Sequence, residues 1–285
     1  MKICATKKAI REEVRETRRK GLSVALVPTM GFLHEGHLSL VREAASQADR
    51  VVVSIFVNPT QFGPNEDLSS YPRDPERDLK LLQDEGVAAV FMPDVDEMYG
   101  VSGDTFVEVP GLSGILQGAL RPGHFRGVAT VVTKLFNIVG PDVAVFGEKD
   151  YQQLALIRQM VRDLDMPLKI IGHPTVREAD GLAMSSRNVR LEPDQRAEAP
   201  ALNRSLLAAN DVARAGGTVA DMDLAVRTVL SEASLGKVES VDIRDAETLE
   251  ELEGVLTRPA VLLLAVRFGK VLLIDQKVIH PGTKG

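Results

Sequence analysis

His34 and His37 stand three residues apart in the stretch Val27-Pro28-Thr29-Met30-Gly31-Phe32-Leu33-His34-Glu35-Gly36-His37-Leu38. If a helix has begun by His34, the two imidazoles share a face and point back toward its N-terminus. A neutral imidazole held there can donate a hydrogen bond to a phosphate oxygen and strengthen it as charge develops, while the helix dipole disfavours a full positive charge on the ring. That is the chemistry of transition-state stabilisation in nucleotidyl transfer. Spacing alone leaves a plainer reading open, because loop histidines are often only solvated or bonded to backbone. Zinc is a poorer match: His-Glu-Gly-His is shorter than His-Glu-x-x-His, and the single cysteine, Cys4, offers no paired thiolate.

Such a pair must be positioned. Residues 22–27 are a short apolar run with β-branched members, and residues 37–49 carry Leu38, Val41, Ala44, Ala45 and Ala48 at helical spacing. The stretch is therefore a strand-turn-helix junction. Gly31 and Gly36 allow the backbone to turn and a ligand to approach, and the free N–H groups of the new helix offer a positive end to phosphate. The apolar run 51–57 is of the kind buried on both sides in a parallel sheet, which completes a βαβ unit. Asn58-Pro59-Thr60-Gln61 then breaks regular structure at that strand's C-terminal end, where ligands bind in open α/β sheets. The amides of Asn58 and Gln61 suit a small hydroxy acid, and suit ordinary turn chemistry equally.

A second strand end repeats the pattern. Residues 143–146 read as a strand entering Gly147-Glu148-Lys149-Asp150-Tyr151-Gln152-Gln153 and then a helix closing over 161–165. Lys149 is a compact cation able to follow charge on phosphates, and Gln153 lies one helical turn beyond it. An exposed Lys-Asp pair by itself means little. Around these fall a helix over 6–20 with Ile10, Val14 and Thr17 inward, a helix from Asp74-Pro75 to Glu85, a strand over 87–92 and a further strand over 105–109. Asp94, Asp96 and Glu97 read as a metal candidate or a solvated loop. Arg121 and Arg126, in the loop 121–127, read as a cover for a triphosphate or a surface turn; a helix over 128–139 follows, and 168–171 gives the last strand of this half.

From Pro193 the texture changes to helices over 194–215 and 219–233, then strands over 238–244, 260–267 and 270–275, the last two joined across Phe268-Gly269. The expected fold is α/β: a Rossmann-like doubly wound parallel sheet over 1–174, with a smaller C-terminal α+β domain over 175–285 covering its cleft. A chain of 285 residues, 44% hydrophobic, suits two such domains. The net charge of −6 argues against a nucleic-acid partner, and one cysteine excludes an intramolecular disulfide. Charges at Lys7, Lys8, Arg11, Glu12 and Glu13 interrupt any apolar leader, and no run reaches membrane-spanning length. The expectation is a soluble cytoplasmic protein with no membrane partner.

The string PTMGFLHEGH resembles the His-x-Gly-His signature of the adenylate-forming nucleotidyltransferase superfamily. With FVNPTQF, GEKDYQQ and DGLAMSSRN, the chain closely resembles the pantothenate synthetase (pantoate:beta-alanine ligase) family over nearly its whole length. The resemblance implies ATP contacts at Met30, Gly31, Phe32, Leu33, His34, Glu35, Gly36 and His37, at Gly147, Glu148, Lys149 and Asp150, at Val176 beside adenine, and at Met184, Ser185, Ser186 and Arg187. That last group occupies the place of the superfamily's mobile Lys-Met-Ser-Lys-Ser loop. It departs from the pattern, with Arg187 for the second lysine and Ala183 in the slot of the first, though an arginine fork can also bracket phosphates. His37, His34, Lys149, Ser185 and Arg187 would be the catalytic set. Gln61, Gln153 and Asn58 would bind pantoate and then beta-alanine.

The implied reaction has two steps: pantoate attacks the α-phosphorus of Mg2+-ATP, giving pantoyl adenylate and pyrophosphate, and the amine of beta-alanine then releases AMP and pantothenate. Magnesium accompanies ATP with no protein ligands assigned, and the resemblance implies a homodimer. Two other readings keep the site. One is a nucleotidyltransferase whose product retains the nucleotide; the other is a nucleotide-binding regulatory module without turnover.

Overall fold

Short runs of valine, alanine and leucine, apolar on both faces, form the first sheet because a parallel sheet needs helices on each side. In a computed structural model, which describes residues 1–64, 66, 68–100 and 103–282, its strands are β1 (Lys2–Cys4), β2 (Val24–Thr29), β3 (Arg50–Ile55), β4 (Ala89–Phe91), β5 (Val143–Gly147) and β6 (Lys169–His173). They run parallel in the order β1-β4-β3-β2-β5-β6. The chain winds from β2 outward through β3 and β4, then returns to place β5 on the other side of β2. Strand order thus reverses between β2 and β5, the switch point at which open α/β sheets bind ligands.

The helices of this half are α1 (Lys7–Arg19), α2 (Glu35–Gln47), α3 (Pro75–Asp84), α4 (Val95–Tyr99), α5 (Pro110–Ser113), α6 (Leu116–Leu120), α7 (His124–Val139) and α8 (Tyr151–Asp163). Alternation along the strands sorts the core. Val24, Leu26, Val52, Ala144 and Phe146 pack with Ile10 and Val14 of α1, Leu135 of α7 and Ile157 of α8. Their neighbours Ala25, Val27, Val53 and Val145 pack with Leu38 and Val41 of α2 and Leu82 of α3.

A third hydrophobic cluster joins α10 (Ala201–Arg214) and α11 (Val219–Leu230), which follow the short α9 (Pro193–Glu198), to an antiparallel sheet of β7 (Gly236–Asp245), β8 (Ala260–Phe268) and β9 (Val271–Ile279). Contacts divide the chain into two units, Met1–Gly147 with Gln152–Pro174, and Glu148–Tyr151 with Thr175–Gly285. The fold class is therefore α/β with a smaller α+β part. Among the described residues no helix is long and apolar enough to cross a membrane.

Several sequence expectations are corrected. Strand β1 was not expected: it is three residues on the sheet edge beside β4, too short to show a period. Residues 105–109 form no strand; the Val107 N–H donates instead to Thr130 Oγ1 of α7 at 2.9 Å. Helix α2 buries Leu40, while Ala45 is exposed. The helix expected over 194–215 is broken at Pro200, which has no N–H to continue it. The last hairpin turns on Gly269 and Lys270, since Phe268 pairs with Val271 and Gly269 has φ +57°.

Candidate active site

The residues between β2 and α2 take an uncommon path. Gly31 lies at φ +80° and Phe32 at φ +51°, two consecutive left-handed residues of which the second carries a side chain. The Thr29 hydroxyl donates to Ser54 O on β3 at 2.7 Å and accepts from the Gly31 N–H at 3.3 Å. The N–H groups of Phe32 and Leu33 each donate to the Asp78 carboxylate at 2.7 Å. Arg77 Nη1 donates to Leu33 O at 2.9 Å. No sequence signal marks this partner, because an aspartate in a helix's first turns reads as ordinary dipole compensation.

Helix α2 begins at Glu35, so His34 is its N-cap (φ −138°, ψ 175°) rather than a helical residue. The two histidines cap reciprocally: the Gly36 N–H donates to His34 Nδ1 at 3.2 Å, and the His34 N–H donates to His37 Nδ1 at 3.3 Å. Their ring centroids are 4.1 Å apart. A neutral imidazole whose Nδ1 accepts carries its proton on Nε2, so each ring is set as an Nε2–H donor. The backbone N–H groups of residues 31–34 and 36 bond within the protein. The new helix thus spends its Gly36 and His37 amides on its own cap, where the sequence suggested N–H groups open to phosphate. Glu35 pairs with Arg42, which also binds Glu85.

After β3, a single 3-10 turn at Pro59–Gln61 presents Gln61. Gln61 Nε2 donates to Met30 Sδ at 3.3 Å, which joins the ends of β2 and β3. Asn58 is 1% exposed and spent on the protein. Its Nδ2 donates to Gln61 Oε1 at 3.1 Å and Gly127 O at 3.2 Å, and its Oδ1 accepts from the Tyr99 hydroxyl at 2.6 Å and the Thr60 hydroxyl at 3.0 Å. Helix α7 touches this turn at Gly127, where a Cβ would lie 2.4 Å from Thr60 O. His124 Nδ1 donates to Gln61 O at 2.8 Å, and its Nε2 stands 3.0 Å from Arg121 Nη1. Arg121 Nε donates to Glu66 at 2.7 Å, which holds the Glu66 carboxyl below its usual range. Arg126, in the first turn of α7, pairs with Glu108 at 3.1 Å and lies over the Phe106 ring. Asp94 caps α4, and Glu97 accepts from the Lys7 N–H at 2.8 Å, so the acidic trio is partly structural.

Gly147 ends β5, and Glu148–Asp150 form a 3-10 turn belonging to the second unit. Lys149 Nζ is 3.8 Å from Asp150 Oδ2; the lysine side chain is 19% exposed and the aspartate 51%, so the cation is the more enclosed partner. Of the neighbouring amides, Gln152 is buried, donating to Leu112 O and Ile115 O at 2.8 Å each, while Gln153 is half-buried.

In the second unit the Met184 N–H donates to Val176 O at 3.0 Å, pairing the residue expected beside adenine with the first residue of the expected Met184–Arg187 loop. Arg177, facing Ala183 in a β-bridge, donates to Asp275 Oδ2 at 2.6 Å and Oδ1 at 3.0 Å. That pair pins the segment bearing Ser185, Ser186 and Arg187 to β9. Ser185 Oγ accepts from the Arg187 N–H at 3.2 Å, a local turn. The expected residues therefore fall into two sets. Met30 through His37, Asn58, Gln61, Gly147 and Gln153 lie in the first unit; Glu148, Lys149, Asp150, Val176 and Met184 through Arg187 lie in the second.

A doubly wound parallel sheet with a capping histidine pair at its switch point defines a Rossmann-like α/β protein. The model of the pantoate-beta-alanine ligase family matches residues 2–278. The chain is 52% identical over 283 residues to the pantothenate synthetase of Desulfatibacillum aliphaticivorans, covering 99% of this chain and 100% of that one. It is 53% identical over 284 residues to that of Desulfitobacterium hafniense, covering 98% and 99%. Among solved structures, pantothenate synthetase from Thermus thermophilus superposes with a TM-score of 0.92 at 47% identity, covering 99% and 100%. Pantoate-beta-alanine ligase from Francisella tularensis, complexed with beta-gamma ATP and beta-alanine, gives 0.80 at 34%, covering 98% and 97%. The chain belongs to the pantoate-beta-alanine ligase family, the pantothenate synthetases.

Proposed function

We infer that this chain condenses (R)-pantoate with beta-alanine to pantothenate, using ATP and passing through a pantoyl adenylate. The observation that carries the site assignment is the reciprocal cap, which sets His34 and His37 as Nε2–H donors at the end of β2. A pantoate carboxylate oxygen attacks the α-phosphorus, and the bond to the bridging oxygen of pyrophosphate breaks. Charge grows on the phosphate oxygens, where fixed neutral donors strengthen without reorganising. Lys149, Ser185, Ser186 and Arg187 serve the same phosphates, with Met184 in the same loop, the backbone of Met30 through His37 and Gly147 through Asp150 framing the nucleotide, and Val176 beside adenine. Gln61 and Gln153 hold pantoate; Asn58 contributes by holding Gln61. In the second step the amine of beta-alanine forms the C–N bond, the acyl–oxygen bond to AMP breaks, and the ammonium proton passes to solvent.

Among the described residues no group of three or more His, Cys, Asp or Glu is placed to hold a metal ion. Magnesium is assigned to the substrate, as the magnesium complex of ATP, its common mode with nucleotides. We assign residues 1–174 to nucleotide and pantoate binding and 175–285 to a lid, which a water-sensitive acyl adenylate requires. Homodimer assembly and a cytoplasmic setting complete the reading; light scattering tests the first.

Labelled pyrophosphate should enter ATP when enzyme, magnesium and pantoate are present and beta-alanine is absent. AMP should accumulate only with both acids. Exchange that requires beta-alanine, or that runs without pantoate, sinks the two-step mechanism.

A further inference from the structure

We propose that Asp78 is a positioning residue for adenylation: through the turn at residues 31–33 it sets the angle at which His34 and His37 present their Nε2–H donors. The proposal rests on the assignment of those histidines to the phosphates. Asp78 is 1% exposed, in the first half of α3, with its own N–H bonded to Asp74 O at 2.9 Å. Both carboxylate oxygens are used, one on the Phe32 N–H and one on the Leu33 N–H, at 2.7 Å each. Successive N–H groups in a left-handed turn form a cradle for an anion. Here the anion is the protein's own.

Three further contacts make the arrangement specific. Arg77 takes the carbonyl of Leu33 at 2.9 Å, so residues 77 and 78 grip both ends of one peptide neighbour of His34. The same arginine lies 5.8 Å from the centre of the Phe32 ring. A Cβ on Gly31 would meet Asp78 Oδ2 and Ile55 Cγ2 at 3.0 Å each, so the carboxylate sits where only glycine lets it sit. Phe32 at φ +51° is a conformation a side-chain-bearing residue keeps only when its surroundings impose it.

Burial pushes the Asp78 carboxyl up despite the two backbone bonds, with Arg77 drawing it down and Asp74 pushing it up. The ionised form, the only one with two free acceptors, is held at a cost. Space-filling alone would not ask for it.

The test is Asp78→Asn, nearly the same shape but with an NH2 group facing a backbone donor. Pantoate-dependent pyrophosphate exchange is measured for kcat and both KM values, and the ring-nitrogen chemical shifts of His34 and His37 are measured by NMR. The proposal expects a cooperative melt, kcat down by at least about thirtyfold, a pantoate KM within about threefold of wild type, and ring shifts moved from the Nε2–H pattern toward a tautomer mixture. Wild-type kcat, or unchanged ring shifts with a folded variant, overturns it. Should Asp78→Asn fail to melt cooperatively, Gly31→Ala attacks the same contact from the other side and is judged by the same two readouts. Wild-type enzyme that shows no pantoate-dependent exchange refutes the functional reading instead, and the ring shifts alone then decide on Asp78.

Discussion

His34 and His37 stand 4.1 Å apart, ring to ring, and each ring caps the helix through its Nδ1. The same nitrogen that closes the helix end determines which nitrogen bears the proton. Structure and chemistry are therefore separable by substitution. His34→Ala and His37→Ala should each slow adenylate formation at least about a hundredfold, the scale for one charge-stabilising donor. His34→Ala should also cost about 1 kcal/mol for the lost cap, and His34→Asn should restore that stability without restoring rate. Single-turnover adenylation beside thermal melting checks this; near wild-type rates in either alanine variant would remove the histidines from the chemistry.

Lys149 and the two glutamines should divide the substrates. A cation reads phosphate and an amide reads hydroxyl and carboxylate groups. Lys149→Ala should act on ATP and on kcat, while Gln61→Ala and Gln153→Ala should raise the pantoate KM about tenfold, the loss of roughly 1.4 kcal/mol of hydrogen bonding. Titrations of each substrate against each variant decide it. Equal effects on ATP and pantoate in all three contradict the division.

Gly127→Ala tests whether α7 positions Gln61. The added methyl would lie 2.4 Å from Thr60 O and 2.7 Å from Gln61 N, backbone atoms that cannot swing aside. Overpacking of this kind costs about 1–3 kcal/mol, here relieved by moving the turn. The expected result is a pantoate KM raised about tenfold with the ATP KM within about twofold. A folded variant with unchanged pantoate KM would mean the turn tolerates the shift.

The Glu66–Arg121 pair predicts a pH effect. Both side chains are 25% exposed, and the bonds from Arg121 hold the Glu66 carboxyl below its ordinary value of 4.5. A lowered folded pKa means the pair's stabilisation is fully present above the unfolded value and is lost as pH falls through the folded one. The melting temperature of wild type minus that of Glu66→Gln should thus be constant above about pH 5 and shrink below pH 4.5, from a contribution of about 1 kcal/mol or less. A difference that grows on acidification has the wrong sign for this account.

Sequence by itself determined the periodicities and the residue types that chemistry requires. The inward stripe Ile10, Val14 and Thr17 of α1 was legible because 3.6-residue spacing is a local property. So was the strand-turn-helix at residues 22–49, and so were the amide and lysine at two strand ends. Strand β1 escaped because three residues carry no period, and its place beside β4 is a long-range pairing. The partners of the site were equally hidden. Asp78 lies 46 residues beyond Phe32, and Gly127 packs on a turn near Asn58, 69 residues away. Only the packing of α3 against the strand ends decided that a buried carboxylate would occupy the amide cradle, and only that of α7 what the Asn58 turn would meet. Charge and hydrogen-bonding capacity belong to the residue, and can be read one letter at a time. Which groups satisfy one another depends on which surfaces the core brings together, and no local pattern encodes that.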